Sequence, residues 1–307
     1  MAAIQPHKKA ERKAIPTYDD LADQHVTFAK TYQKRPDNTQ SVIDLHLRPR
    51  WGKQRLNEIS QQAVAQWLAE KRTGGLAPAT VEKLRATLHR SFELAGKWGM
   101  PGGQINPVRN VPRAKFSNAR QRYLSADEAK RLLRAVEASP NPQLKYIVGL
   151  LLLTGARKSE LLRAQWKDIN LDQKAWFIPD SKTGKSRHVP LSQQAITLIR
   201  KLPKWDGVPW LVPNPDTMKP FDTIKRAWDS ARKEAGLSDL RLHDLRHSAA
   251  SFMINAGIDL YTVGRILGHA DHQSTQRYSH VANDSLMKAV EAGAAKMNLD
   301  WAASTQS

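Results

Sequence analysis

His243, Asp244, Arg246 and His247 fall within five positions near the head of the segment LHDLRHSAASFMINAG, residues 242–257. Two imidazoles and a guanidinium on one helical turn open three chemistries. His243 and His247 stand i, i+4, the spacing at which zinc-binding helices present two ligands. Arg246 would then put a fixed positive charge beside the dication, and no third ligand lies nearby in sequence. The rings could instead satisfy buried hydrogen bonds. The third chemistry is a grip on an anion. His243 and Arg246 sit one turn apart at a helix N-terminus, where backbone dipoles favour negative charge, and a guanidinium fork matches phosphate oxygens.

Three further stretches carry reactive side chains. Arg157 follows an apolar run and the Thr154-Gly155 turn, which predicts an enclosed guanidinium held by Glu160 three residues on. The plainer alternative is a surface ion pair of about 0.5 kcal/mol. Lys182 opens Lys182-Thr183-Gly184-Lys185, a hairpin tip from which a lysine reaches past the sheet or stays solvated. Between Leu267 and His280 stand Gly268, His269, His272 and Tyr278. The Tyr278 phenol is either a nucleophile or a ring packed on a core.

The whole chain favours a polyanionic partner. Its 307 residues hold 48 Lys and Arg against 29 Asp and Glu, a net charge of +19. There is no cysteine, which excludes disulfides, cysteine-based zinc sites and thiol nucleophiles. The longest apolar run, residues 147–153, is far short of the ~20 residues that span a bilayer.

The fold class expected is mainly α with a small β-sheet, arranged as a helical domain followed by a mixed α+β domain. Residues 1–16 read as a flexible basic lead. Residues 17–107 read as a helical bundle. Thr17 caps a helix carrying Leu21, Val26 and Phe28, and Ser60 caps one carrying Val64, Trp67 and Leu68. From Thr80 onward, Val81, Leu84, Leu88, Phe92 and Ala95 recur at helical spacing. Residues 108–122 form a basic linker with Arg109, Arg113, Lys115, Arg120 and Arg122 and no acidic residue, expected to lie along phosphates.

Residues 123–290 read as the second domain. Ser125 and Glu128 have the capping-box form. The run at 147–153 suits a buried helix, and residues 174–178 and 187–191 suit two short strands around the lysine turn. Helices are expected at about 193–202, 221–235, 243–256, 259–267 and 284–297. In the helix at 243, Leu245, Ala249, Phe252 and Met253 make the expected apolar face, so that its later turns bury and its first turn faces an anion. Residues 291–307 complete the last helix and form a tail.

Arg-x-x-Glu, a hairpin lysine, His-x-x-Arg, Leu-Gly-His and a tyrosine nine residues later, in this order over about 122–290, resemble the tyrosine recombinase (phage integrase) family. The helical region and linker resemble that family's core-binding domain, and the second domain its catalytic domain. The resemblance implies that Arg157 and Arg246 grip the scissile phosphate, with Glu160 supporting Arg157. It implies Tyr278 as nucleophile, Lys182 as acid for the leaving 5′ oxygen, His243 as candidate base and His269 as a further donor. His247, Lys185 and His272 match no role.

The implied activity is site-specific cutting and rejoining of double-stranded DNA through a 3′-phosphotyrosine and a Holliday junction. It needs no metal and no other cofactor. The implied assembly is a homo-tetramer on DNA, with residues 284–297 as a helix that docks in cis or on a neighbour, and with accessory bending or directionality factors. The implied setting is cytoplasmic and nucleoid-associated, without a membrane. Integration and excision of a mobile element is the expected role. A chromosome-dimer resolvase, a type IB topoisomerase and a DNA-binding regulator are the alternatives. Residues 1–16 are too short for the arm-binding domain of lambda-type integrases, so a simpler two-domain recombinase or a shortened chain is expected. Replacing Arg246 by alanine is expected to cost cleavage while the fold survives.

Overall fold

The computed structural model describes residues 14–114, 122–179, 186–268 and 290–291. The chain divides into two compact units, up to residue 118 and from residue 119. It is mainly helical, with one three-stranded antiparallel sheet. No helix among the described residues is long and apolar enough to cross a membrane.

In the first unit, helices start where the sequence offers a cap or a proline. α1 (Tyr18–Tyr32) begins at Thr17, whose hydroxyl accepts from the Asp20 amide while the Asp20 carboxylate accepts from the Thr17 amide at 2.8 Å. α2 (Pro36–Val42) opens on a proline, widens into a π turn at Ile43–Leu47, and continues as α3 (Arg48–Trp51). Pro49 accounts for the widening. In a regular helix its ring would strike the carbonyl four residues back, and it has no amide to donate. These short pieces escaped the sequence reading because none is long enough to show a period. α4 (Gln61–Thr73) follows the Ser60 cap. α5 (Pro78–Lys97) starts two residues before the expected Thr80, because proline at the first helical position forfeits no hydrogen bond.

The interior of this unit is built from Leu21, Leu47, Trp51, Leu84, Leu88 and Phe92, with the Trp51 and Trp67 rings edge-to-face at 5.7 Å. Phe28, expected with Leu21 and Val26, stays 36 % exposed and meets Trp98 edge-on. One polar group lies deep in the core. The Ser91 hydroxyl donates to Thr87 O at 3.1 Å. Its single proton is thereby used, so Tyr18 Oη at 3.0 Å and His25 Nδ1 at 2.9 Å both donate to it. His25 Nε2 is then the unprotonated nitrogen, buried with no partner among the described residues.

The second unit is organised around a buried apolar helix. α6 (Ala126–Glu137) starts at the expected Ser125–Glu128 capping box. α7 (Leu144–Thr154) packs against α6, and its Leu144, Ile147, Val148 and Leu151 are in the core. A short α8 (Lys158–Leu161) leads to β1 (Ile169–Asn170), β2 (Ala175–Ile178) and β3 (Arg187–Pro190). The strands form a meander in which Trp176 pairs with Val189 and Ile178 with Arg187. β1 was not expected, since two residues carry no alternation.

α9 (Gln193–Arg200) and α10 (Lys225–Glu234) flank the core, the latter starting four residues later than expected at Lys225. α11 (Asp244–Asn255) and α12 (Leu260–Leu267) complete the described unit, with α11 against α7 and α12 against both α11 and β3. Of the helix expected at 284–297, Val290 and Glu291 are described and helical, and the rest lies outside the described residues.

Burial, and then the nearby Arg90 charge, lower the pKa of His25 from 6.5 to about 4. An unfolded chain binds that proton first, so the stability due to neutral His25 is complete above pH 6.5 and lost as pH falls towards 4. Denaturant unfolding followed by tryptophan fluorescence is expected to show a loss of about 2 kcal/mol between pH 7 and pH 5. The His25→Leu variant is expected to lose that slope.

Candidate active site

Two helix ends define the site. Gly155 closes α7 with φ 62° and Gly268 closes α12 with φ 69°, the left-handed cap that glycine adopts without strain. A Cβ on Gly155 would lie 2.5 Å from Leu267 Cδ2, so the two ends meet closely enough to require glycine there. Each end carries carbonyls without intrahelical partners and a partial negative charge.

Arg246, on the first turn of α11, satisfies both ends. Its Nη1 donates to Gly155 O and its Nη2 to Leu267 O, each at 2.7 Å, and the residue is 4 % exposed. Arg157 reaches the same turn from the other side. Its Nη2 donates to Gly268 O at 3.2 Å and its Nη1 to Glu160 Oε1 at 2.8 Å. The Arg157 amide donates to Glu160 Oε2 at 2.9 Å, which starts α8. Arg187 forks onto the same carboxylate, Nη1 to Oε1 at 2.9 Å and Nη2 to Oε2 at 2.7 Å. Burial works to raise the Glu160 carboxyl. The Arg187 hydrogen bonds, then the Arg157 amide and side chain, outweigh it and hold the pKa at about 2.

Beside these guanidiniums opens a recess of about 250 Å³, lined by Leu151, Ala156, Lys158, Leu242, His243 and Arg246. The His243 ring stands edge-to-face with that of His247, centroids 5.0 Å apart. Among the described residues no group of three or more His, Cys, Asp or Glu is placed to hold a metal. Arg157, Lys158, Arg187 and Arg246 stand with two buried carboxylates, Glu160 and Asp244. With the backbone dipoles, the recess suits a tetrahedral oxyanion.

Arg157, Glu160, His243 and Arg246 are therefore brought together. Lys182, His269 and Tyr278 lie outside the described residues, although Lys182 belongs to the segment joining β2 to β3, and His269 follows Gly268 directly. Of the linker cations, Arg109 and Arg113 are exposed, and Lys115 and Arg120 lie outside the described residues. Arg122 has its guanidinium committed to Glu128 and Asp239, each at 2.8 Å, and to Tyr123 O at 2.6 Å, so it fixes the head of α6.

The expected apolar face of α11 is corrected at one position. Asp244, Leu245 and Arg246 are buried, with His243 and Arg246 lining the recess, while Phe252 of the expected apolar face is 40 % exposed. The cause is a pair of serines. Ser248 and Ser251 take buried positions, and Ser248 Oγ accepts from Leu124 N and donates to Asp244 O, both at 2.8 Å. Small side chains let α11 sit close to the start of α6.

Arg187 and Lys158 were not singled out from the sequence. Arg187 left one trace: it shares the inward register of β3 with fully buried Val189, where a charge needs a partner.

Because Arg246 holds two helix ends, its loss reaches the fold as well as the site, against the expectation that Arg246→Ala leaves the fold intact. The variant is expected to lower the unfolding free energy by about 2–4 kcal/mol, from two stranded buried carbonyls. Urea unfolding curves check this, and Arg246→Lys is expected to recover part of the loss.

Comparisons with known proteins show the family. A family model described as the phage integrase family matches residues 122–285. The shufflon-specific DNA recombinase of Escherichia coli is 31 % identical over 69 % of this chain and 54 % of its own length. The integrase of Salmonella phage P22 is 33 % identical over 59 % of this chain and 48 % of its own length. The chain thus spans about half the length of these two relatives. Tyrosine recombinase XerD of Caulobacter vibrioides is 28 % identical over 77 % of this chain and 82 % of its own length.

Among solved structures, a lambda integrase dimer bound to a core site superposes with a TM-score of 0.71 at 25 % identity, covering 84 % of this chain and 96 % of that one. The Tn1549 transposon integrase shares the fold at TM-score 0.73 and 16 % identity, covering 91 % of this chain and 100 % of that one. The matched residues 122–285 make up more than half of the sequence, and the chain belongs to the phage integrase family, the tyrosine recombinases.

Proposed function

We propose that this chain is a site-specific DNA recombinase that breaks and rejoins DNA through a covalent tyrosine intermediate. One observation carries the reading: Arg246, His243 and Lys158 line a recess, and Arg246 and Arg157 hold Leu267 O and Gly268 O at the turn that His269 follows. The relatives support it, being an integrase and a shufflon-specific DNA recombinase. Lambda integrase has been solved both as a dimer on a core site and as a tetramer on a Holliday junction.

The chemistry follows from the charges. The Tyr278 phenol oxygen attacks the scissile phosphorus in line, and the bond to the 5′ oxygen breaks. Lys182 supplies the proton that the departing oxygen needs, and His243 takes the phenol proton, whose ordinary pKa is about 10. In the transition state extra negative charge grows on the non-bridging oxygens. Arg157 and Arg246, immobilised beforehand by carbonyls and by Glu160, stabilise it without reorganising, with His269 as a further donor. The 3′-phosphotyrosine keeps the broken bond's energy, so an incoming 5′ hydroxyl reverses the step on a new strand. In the linker, exposed Arg109 and Arg113, together with Lys115 and Arg120, follow the phosphate backbone.

The role assigned is integration and excision of a mobile element by a DNA-bound homo-tetramer. Resolution of chromosome dimers is the second reading, favoured by the alignment with XerD over 77 % of this chain. Covalent capture on randomised duplex DNA, followed by sequencing, identifies the site and separates the two.

In that assay Tyr278→Phe is expected to form no adduct while retaining DNA affinity. A 3′ adduct on the phenylalanine variant refutes the nucleophile. Lys182→Ala is expected to cleave poorly, and to recover on a substrate with a 5′-phosphorothiolate leaving group, which departs without a proton. Failure to recover removes Lys182 from the acid's role.

A further inference from the structure

Arg187 has no part in the motifs that the family resemblance rests on, yet it touches both Glu160 and the Gly268 turn. It opens β3 and pairs with Ile178, so it stands at the base of the hairpin segment that contains Lys182. Its guanidinium gives one hydrogen bond to each oxygen of Glu160, at 2.9 and 2.7 Å. Its stem lies flat against the Gly268 turn, where an added Cβ would come within 2.5 Å of Cδ and 2.7 Å of Nε.

The consequence for Arg157 is direct. Each Glu160 oxygen accepts two bonds, one from Arg187 and one from Arg157. Remove the fork and the carboxylate keeps only its two bonds to Arg157, both from one residue and free to turn with it. Arg157 in turn holds Gly268 O, the last described carbonyl before His269. Arg187 is also a costly choice for a strand. Its side chain is 11 % exposed, and its Nε–H has no acceptor among the described residues. Folding alone would be served better by an apolar residue in that inward register.

We propose that Arg187 is a positioning residue, which locks the start of β3, Glu160 and the Gly268 turn into one frame and thereby fixes Arg157. The proposal rests on the reading of Arg157 as a phosphate grip. It assigns Arg187 an effect on the rate of the chemical step, without contact with the phosphate and without a share in DNA affinity. Lysine does not substitute, because a single ammonium cannot bridge both carboxylate oxygens along a plane.

The test uses the full chain and a duplex recovered by covalent capture. Wild type, Arg187→Lys, Arg187→Met, Arg157→Lys and the double variant Arg157→Lys/Arg187→Lys are compared. Single-turnover adduct formation, duplex Kd and thermal melting are measured for each. Arg187→Met retains the stem that packs on Gly268, so a folded variant remains if lysine destabilises. The expected result is a fall of about tenfold in adduct rate for either Arg187 variant, with Kd unchanged. The double variant is expected to be no more than about threefold slower than Arg157→Lys, since both residues act through one side chain.

An unchanged rate, a loss of affinity in step with the rate, or independent multiplying effects would each overturn the proposal. A second readout needs no cleavage. In the DNA-free protein the Arg157 Nε–H is expected to give a protected NMR signal that loses protection in Arg187→Lys. If wild type forms no adduct on any duplex, the recombinase reading fails, and this signal still decides on Arg187: unchanged protection overturns its positioning role.

Discussion

The guanidinium of Arg246, shared between Gly155 O and Leu267 O, is the interaction on which the second unit's site depends. It joins the spent end of the central helix to the end of α12 and fills the gap with a charge. Without it, two helix termini would face each other with like partial charges and unsatisfied carbonyls. With it, the termini become counter-dipoles for a buried cation. A carboxylate could be titrated. Two helix ends do not titrate, so they hold the guanidinium in place whatever the pH.

Glu160 completes the arrangement. A single carboxylate, 3 % exposed, accepts from Arg157 and Arg187 at once. Burying such a trio is not a route to stability, since desolvation offsets most of the attraction. Its worth is geometric. Every lone pair direction of Glu160 is occupied, so neither arginine can swing without breaking a bond to the other's partner. A rigid cation beside a recess is what transition-state stabilisation by preorganised charge requires.

Much of this was legible in the sequence, and the exceptions have physical causes. Arg157 with Glu160 and His243 with Arg246 are local pairs on one turn, so spacing alone brought each together. The caps at Thr17, Ser60 and Ser125 were legible because hydroxyl and carboxylate sit at fixed offsets. The link from Arg187 to Glu160 spans 27 residues and depends on strand register, which no local period encodes. The outward turn of Phe252 depends on two serines that look polar in sequence and pack as small residues in space. The π turn before Pro49 is a local strain remedy that hydropathy does not record. The contribution of Lys182, His269 and Tyr278 rests on the order of the motifs, as these positions lie outside the described residues.

The partners of Arg246 stand 91 and 21 residues away along the chain. Neither acceptor exists in usable form until its helix has folded and been capped by glycine, and α11 must itself have docked. Assembly of the anion recess is therefore a late event, conditional on three separately nucleated helices. A nascent or partly unravelled polypeptide has scattered arginines and no common recess. Completion of the tertiary structure is what brings the recess into being.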